Sequence, residues 1–232
     1  MMDNLLITLR MTISYYLPYF VALSALISYF IGSLPFGLWV GLAKGVDIRT
    51  LGSKNIGATN VLRVLGPGAG ALVFALDTLK GAAMVIVLRI FWPGPAGMPD
   101  MVFVGLCAVL GHTFSPLLRF KGGKGIATSL GVLLALSWQV ALFGLGVWIV
   151  VVALTRYVSL ASLLTALSLP FASYFRLKGE DRVWMLGLTI TLLVLVTVKH
   201  RANIGRLLAG TESKFGQRVT ETAPPVEETP HE

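Results

Sequence analysis

The 232-residue chain is 55% hydrophobic and only 13% charged, which excludes an ordinary soluble domain and places it among integral membrane proteins. Its formal net charge of +8 fits positive loops on one side of a membrane. It does not fit nucleic-acid binding, because no basic patch is interleaved with aromatics. The single cysteine, Cys107, lies in an apolar run, and His112, His200 and His231 are far apart, so neither a disulfide framework nor a metal site is expected. No cofactor is implied.

In chain order, residues 1–15 lack the basic start and small-residue cleavage site of a signal peptide, so a short external N-terminus and a retained first helix are expected. Tyr16–Ala43 reads as the first span. Gly32-Ser33-Leu34-Pro35 interrupts it, predicting a kink with small residues at a helix contact. Lys44–Gly66 is polar and Gly-rich, with Ser53, Asn55, Thr59 and Asn60 as hydrogen-bonding groups and Lys54 and Arg63 as cations. An ordinary connecting loop needs fewer amides and hydroxyls. Gly68–Trp92 is the second span, with Asp77 and Lys80 inside it, spaced to share a helix face and pair.

Pro93–Asp100 reads as a loop and Met101–Leu118 as the third span, bringing His112 near its end. The turn that follows carries Arg119, Lys121 and Lys124 among Gly122, Gly123 and Gly125. Bare N–H groups there can form a nest for an anion, and the next helix begins with its positive end nearby. The turn is not a P-loop, because Leu118 stands where that motif needs its first glycine. Ile126–Leu136 is apolar but, at about 16 Å, covers roughly half a hydrocarbon core. Trp138–Leu154, a run from about Val158 to Phe175, and Val183–Val198 complete the spans, with Arg176–Arg182 as a charged loop. Residues 213–232 have no apolar period and read as a disordered cytoplasmic tail.

Parity decides which clusters meet. One continuous span over Ile126–Leu154 would put Lys124 and His200 on opposite sides; two segments would put them on the same side. With two segments, thirteen of the 19 Lys and Arg residues fall on one side and five on the other, with Lys80 intramembrane. The richer side should be cytoplasmic. The expectation is an all-α membrane protein of about seven transmembrane helices, one short and broken, with the N-terminus outside and the C-terminus cytoplasmic.

Four stretches carry a resemblance: GSKNIGATNVLR (Gly52–Arg63), GHTFSPLLRFKGGKGIAT (Gly111–Thr128), RYVSLAS (Arg156–Ser162) and HRANIGRLLAGTE (His200–Glu212). Together they resemble the bacterial membrane acyltransferases that use acyl phosphate to acylate glycerol 3-phosphate. The resemblance covers about residues 16–212, a single membrane domain. It implies a multi-pass enzyme of the bacterial inner membrane with its site facing the cytoplasm. Its substrates would be acyl phosphate and glycerol 3-phosphate, its product lysophosphatidate for phospholipid synthesis, and an enzyme that makes acyl phosphate would supply it. A monomer in membrane lipid is the expectation. Matched motif by motif, the functional residues fall on Ser53, Arg63, Lys124, Ser162, His200 and Asn203, with Ser159 an alternative to Ser162.

The residue chemistry agrees. Both substrates carry phosphate, so the site must hold two anions. Arg63 offers a bidentate fork and Lys124 a point charge. Ser53, Lys124, His200, Asn203 and Arg63 form the expected catalytic set. Asn55, Gly57, Thr59 and Asn60 are expected to bind substrate from the first motif, and His112, Gly122, Gly123 and Gly125 from the second. No general base stands out: His112 has Leu117 where a His-x4-Asp motif would place its acid. Acyl phosphate is already activated, so substrate-assisted attack without a covalent intermediate is expected. The competing class is a transporter for an organic phosphate. It fits the broken spans but not the crowding of polar clusters on one face or the lack of an internal repeat.

Overall fold

The computed structural model describes residues 18–91 and 97–217. Its regular structure among these residues is entirely helical, as a chain in lipid requires, because a helix satisfies its own backbone groups. We number the helices α1 (18–32), α2 (Phe36–Leu42), α3 (Ala58–Leu65), α4 (Pro67–Phe91), α5 (Met98–Thr113), α6 (Ile126–Leu136), α7 (Trp138–Thr155), α8 (Val158–Arg176), α9 (Gly179–Lys199) and α10 (Arg201–Leu208). Helices α1 and α2 together form the stretch Pro18–Leu42, one of six long and apolar enough to cross a membrane; α6 is shorter. Large apolar side chains such as Leu142, Phe143, Val150 and Leu154 on α7, and Phe171 and Phe175 on α8, point outward, the pattern of a bundle whose solvent is lipid.

The first span breaks at Ser33–Pro35, between α1 and α2. A Cβ on Gly32 would collide with the Ala108 carbonyl, and one on Gly111 with the Tyr29 carbonyl, so small residues bring α1 and α5 into backbone contact. Ser33 is buried, and its hydroxyl donates to the Tyr29 carbonyl at 2.7 Å. Gly81 and Gly131 set α4 against α6 in the same way.

Three boundaries differ from expectation. Helix α5 begins at Met98, inside the expected Pro93–Asp100 loop. Pro99 sits in its first turn, where a missing N–H costs nothing, and Asp100 accepts from the Gly97 N–H at 3.2 Å. Helix α9 starts at Gly179, with Glu180 and Asp181 in its first turn, where acidic groups favour the dipole. The polar Lys44–Gly66 stretch contains α3. The expected N-terminal segment, Trp92 and the tail beyond Gln217 lie outside the described residues.

Ser137, in extended conformation, separates α6 from α7. Lys124, just before α6, donates to Asn203 on α10 at 2.5 Å. That contact puts the start of α6 and the end of α9 at one end of the bundle, as two separate segments would and a single long span would not. At the other end Arg89, near the close of α4, reaches the Leu136 carbonyl at 3.5 Å.

Candidate active site

The four motif stretches meet around one cavity of about 960 Å³ at the end of the bundle that holds α3 and α10. The loop before α3 is built by Asn60. Its Oδ1 accepts from the Ser53 N–H at 2.8 Å, and its Nδ2 donates to the carbonyls of Ile48 and Leu51 at 3.2 and 3.1 Å. This buried amide is therefore used up in holding the loop. The Asn55 Oδ1 accepts from the Gly57 N–H at 2.9 Å, a local turn that leads into α3. Ser53, Thr59 and Arg63 also line the cavity. The Arg63 guanidinium makes no hydrogen bond to the described residues and is half-buried. Burial draws it below its ordinary pKa, Glu212 pulls the other way, and Arg206 adds to the lowering.

The glycine turn is shaped by His112. The Gly123 N–H donates to the His112 carbonyl at 3.1 Å, and a Cβ on Gly123 would collide with the imidazole. That N–H is thus spent inside the protein rather than offered to an anion, and Gly122 and Gly123 act by close packing. Gly125 lines the cavity and takes φ 81°, the left-handed region that glycine enters without strain. It turns the chain so that Lys124 faces inward at the start of α6.

Lys124 stands at the centre of a cationic cluster. Burial lowers its pKa to about 8; Glu212 opposes this, and Arg206 and Arg63 add to it. Asn203, which accepts from Lys124, donates in turn to Glu212 Oε1 at 2.6 Å. Arg206 Nε donates to Glu212 Oε2, also at 2.6 Å. His200 is buried with Nδ1 2.8 Å from the Val196 carbonyl. Burial, then the Lys124 charge, depresses its pKa to about 4. A neutral imidazole donating Nδ1–H to that carbonyl leaves Nε2 as an acceptor.

Ser162 and Ser159 both line the cavity. Ser162 Oγ donates to the Val158 carbonyl at 2.9 Å and accepts from Trp148 Nε1 at 3.4 Å, whereas Ser159 lies beside Glu212. His112 and Asp77 also reach the cavity wall, with His112 Nδ1 3.7 Å from Asp77 Oδ1. Asp77 is paired with Lys80 at 2.7 Å, and Lys80 also donates to the Leu34 carbonyl at the break in the first span, at 2.7 Å.

Sequence reasoning did not single out Arg206 and Glu212. A signal was present: Glu212 is the sole acidic residue between Asp181 and Glu221, set in a basic segment. Arg206 follows Asn203 at the i,i+3 spacing that shares a helix face.

The sequence model of a family described as glycerol-3-phosphate acyltransferase matches residues 22–210. A glycerol-3-phosphate acyltransferase of Mesorhizobium japonicum is 47% identical over 86% of this chain and 98% of its own. One from Fusobacterium nucleatum is 46% identical over 82% and 95%. Among solved structures, PlsY (YgiH), an integral membrane glycerol 3-phosphate acyltransferase, in its glycerol 3-phosphate form superposes with a TM-score of 0.78. It is 40% identical, over 84% of this chain and 96% of that one. Its lysophosphatidic acid form gives 0.76. On this sequence and fold similarity, the chain belongs to the glycerol-3-phosphate acyltransferase family.

Proposed function

We propose that the protein transfers a fatty acyl group from acyl phosphate to the 1-hydroxyl of glycerol 3-phosphate, releasing lysophosphatidate and inorganic phosphate. One observation carries this reading: a single cavity joins a cationic end, formed by Arg63, Lys124 and Arg206, to an apolar arm between α6, α7, α8 and α9. Such a cavity suits substrates that bring phosphate and hydrocarbon together. The relatives carry the acceptor in their names, and the PlsY structures include a glycerol 3-phosphate form and a lysophosphatidic acid form.

In this reading the glycerol oxygen attacks the acyl carbonyl carbon, and the bond from that carbon to the phosphate oxygen breaks. The hydroxyl proton passes to a phosphate oxygen, so no covalent enzyme intermediate forms. Arg63 and Lys124 hold the anions, and His200 Nε2 accepts a hydrogen bond from the acceptor's other hydroxyl, leaving the attacking hydroxyl's proton to the phosphate. Asn203 orients the Lys124 ammonium. Holding both reactants in one cavity supplies orientation worth roughly 7–11 kcal/mol. Ser53 and Thr59, at the mouth, position the acceptor's free oxygens.

Purified protein in detergent, with no sealed compartment, should form lysophosphatidate from acyl phosphate and glycerol 3-phosphate. Comparable turnover with acyl-CoA would sink the choice of donor, and no product from any donor would favour transport. We further propose that the site end faces the cytoplasm of a bacterial inner membrane. In a Cys107→Ala background, Lys178→Cys, exposed at the far end, should react with an impermeant thiol reagent outside spheroplasts. Ala202→Cys, exposed on α10, should react only after the membrane is opened. The reverse pattern would overturn the orientation.

A further inference from the structure

The turn between α7 and α8 carries an arginine that the reaction above does not use. Arg156 closes α7, donating its N–H to the Val152 carbonyl at 2.8 Å, and takes φ 62°. That left-handed region favours glycine, so the backbone gains nothing from an arginine here. The side chain has a partner 59 residues further on: a guanidinium nitrogen donates to the Phe215 carbonyl at 2.9 Å. In return the Phe215 N–H donates to the Arg156 carbonyl at 2.6 Å. Beside this two-way link the Lys214 ammonium lies 5.7 Å from the centre of the Tyr157 ring.

The segment held in this way runs along the mouth of the cavity, from the end of α10 to the α7–α8 turn. Glu212, Ser213 and Phe215 line the cavity, and Arg156 does not. Glycines with positive φ flank the segment, Gly210 at 69° and Gly216 at 86°. Gly216 is the third residue of a turn closed by the Gln217 N–H and the Lys214 carbonyl at 3.3 Å. Phe215, the second residue, keeps a negative φ, which makes this a type II turn and suits proline at that position. Between α10 and the Arg156 link, the Glu212 carboxylate reaches inward to Asn203 and Arg206, and Asn203 holds Lys124.

We propose that Arg156 is a positioning residue: it pins the strap Thr211–Gly216 along the mouth and so keeps Glu212 in the network that arranges Asn203 and Lys124. The proposal rests on the acyltransferase reading above for its kinetic readout. The charged groups facing Lys124 are Glu212 from the strap, Arg206 from α10 and Arg63 from α3, with the neutral His200 from α9. Asp77, paired with Lys80, and His112 line the same cavity from α4 and α5. Glu212 raises the Lys124 pKa, whereas Arg206 and Arg63 lower it. Releasing the strap removes the group that raises it. The alkaline fall in kcat/KM for glycerol 3-phosphate should then move to lower pH by about one unit, a loss of about fivefold at pH 8.

Arg156→Gly should make that shift with a Tm near the wild-type value. Phe215→Pro fits the turn but removes the N–H; it should make the same shift, and the double variant should go no further. Phe215→Ala keeps the N–H and should leave the limb in place. A limb that is absent, or that stays at its wild-type pH in Arg156→Gly and Phe215→Pro, would overturn the proposal, as would a uniform loss at every pH. Wild-type protein without turnover would sink the functional reading instead. The strap is then read by sulfate, whose stabilisation of the wild type should fade as pH rises through 8, and that of Arg156→Gly about one unit lower. Absent or identical profiles would overturn the pin.

Discussion

Lys80 and Lys124 are two lysines drawn into one bundle, and they are compensated in opposite ways. Lys80 is 2% exposed and fully spent: its ammonium pairs with Asp77 on its own helix and caps the Leu34 carbonyl, both at 2.7 Å. It binds α4 to the broken first span, and its carboxylate is one turn away. Among the described residues Lys124 has no carboxylate in direct contact. It reaches Asn203, and through that amide Glu212, on a segment 79 residues or more further along the chain. Its charge is held ready beside the open cavity. A buried cation neutralised within its own helix ties that helix to its neighbour, whereas one held by a neutral amide at a cavity wall keeps its charge open to that cavity.

The largest expected effect breaks the first half of that contrast. Lys80→Met leaves Asp77 buried without its partner, a cost of about 3–5 kcal/mol. The yield and Tm of folded protein in detergent should drop sharply, and Asp77→Leu added to it should recover most of the loss. A normal melt for Lys80→Met alone would end the distinction. Next, Lys124→Ala and Arg63→Ala should fold normally yet lose about tenfold to more than a hundredfold in kcat/KM. That corresponds to about 1.5–3 kcal/mol for a lost charged hydrogen bond. Arg63→Lys should rescue only in part, because the fork is gone. Near-wild-type kinetics in either alanine variant would remove these residues from the site.

A smaller effect follows from the lowered Lys124 pKa of about 8. Lys124 is charged below that value and neutral above it, so kcat/KM for glycerol 3-phosphate should fall as pH rises through 8, by about tenfold per unit well above it. Lys124→Arg, which stays charged, should abolish that limb; an unmoved limb would assign it to another group. The smallest effect belongs to Cys107, partly buried in α5. Cys107→Ala should hold kcat/KM within about twofold, since no cation beside the thiol favours a thiolate. An inactive variant would contradict a mechanism without a covalent intermediate.

Long spans were legible because twenty-odd apolar residues leave lipid as the main alternative to a buried core. The break at Ser33–Pro35 was legible because proline cannot continue a helix. Helix starts were less so: Pro99, Glu180 and Asp181 look like loop residues, yet favour the first turn. The first motif shows the limit for site residues. Asn60 and Arg63 stand three apart in one polar stretch and look alike as ligand groups. The amide is consumed by carbonyls 9 and 12 residues earlier, while the guanidinium makes no hydrogen bond to the described residues. Sequence spacing does not reveal where a loop's own carbonyls will point. Glu212 was missed for a related reason, since a carboxylate is not what one seeks among groups that hold phosphate.

The position of Glu212 has a consequence for biogenesis. Chains emerge and insert from the N-terminus, so Arg63, Lys124 and Ser162 are in place before α10 is made. Until residues 200–212 arrive, Lys124 lacks Asn203 and the whole cluster lacks the carboxylate that receives Asn203 and Arg206. A chain halted between α9 and Glu212 would carry all of its spans and a cluster of like charges with nothing to arrange it. Arrangement of the cluster is therefore tied to the arrival of residues 200–212, after the last span has been made.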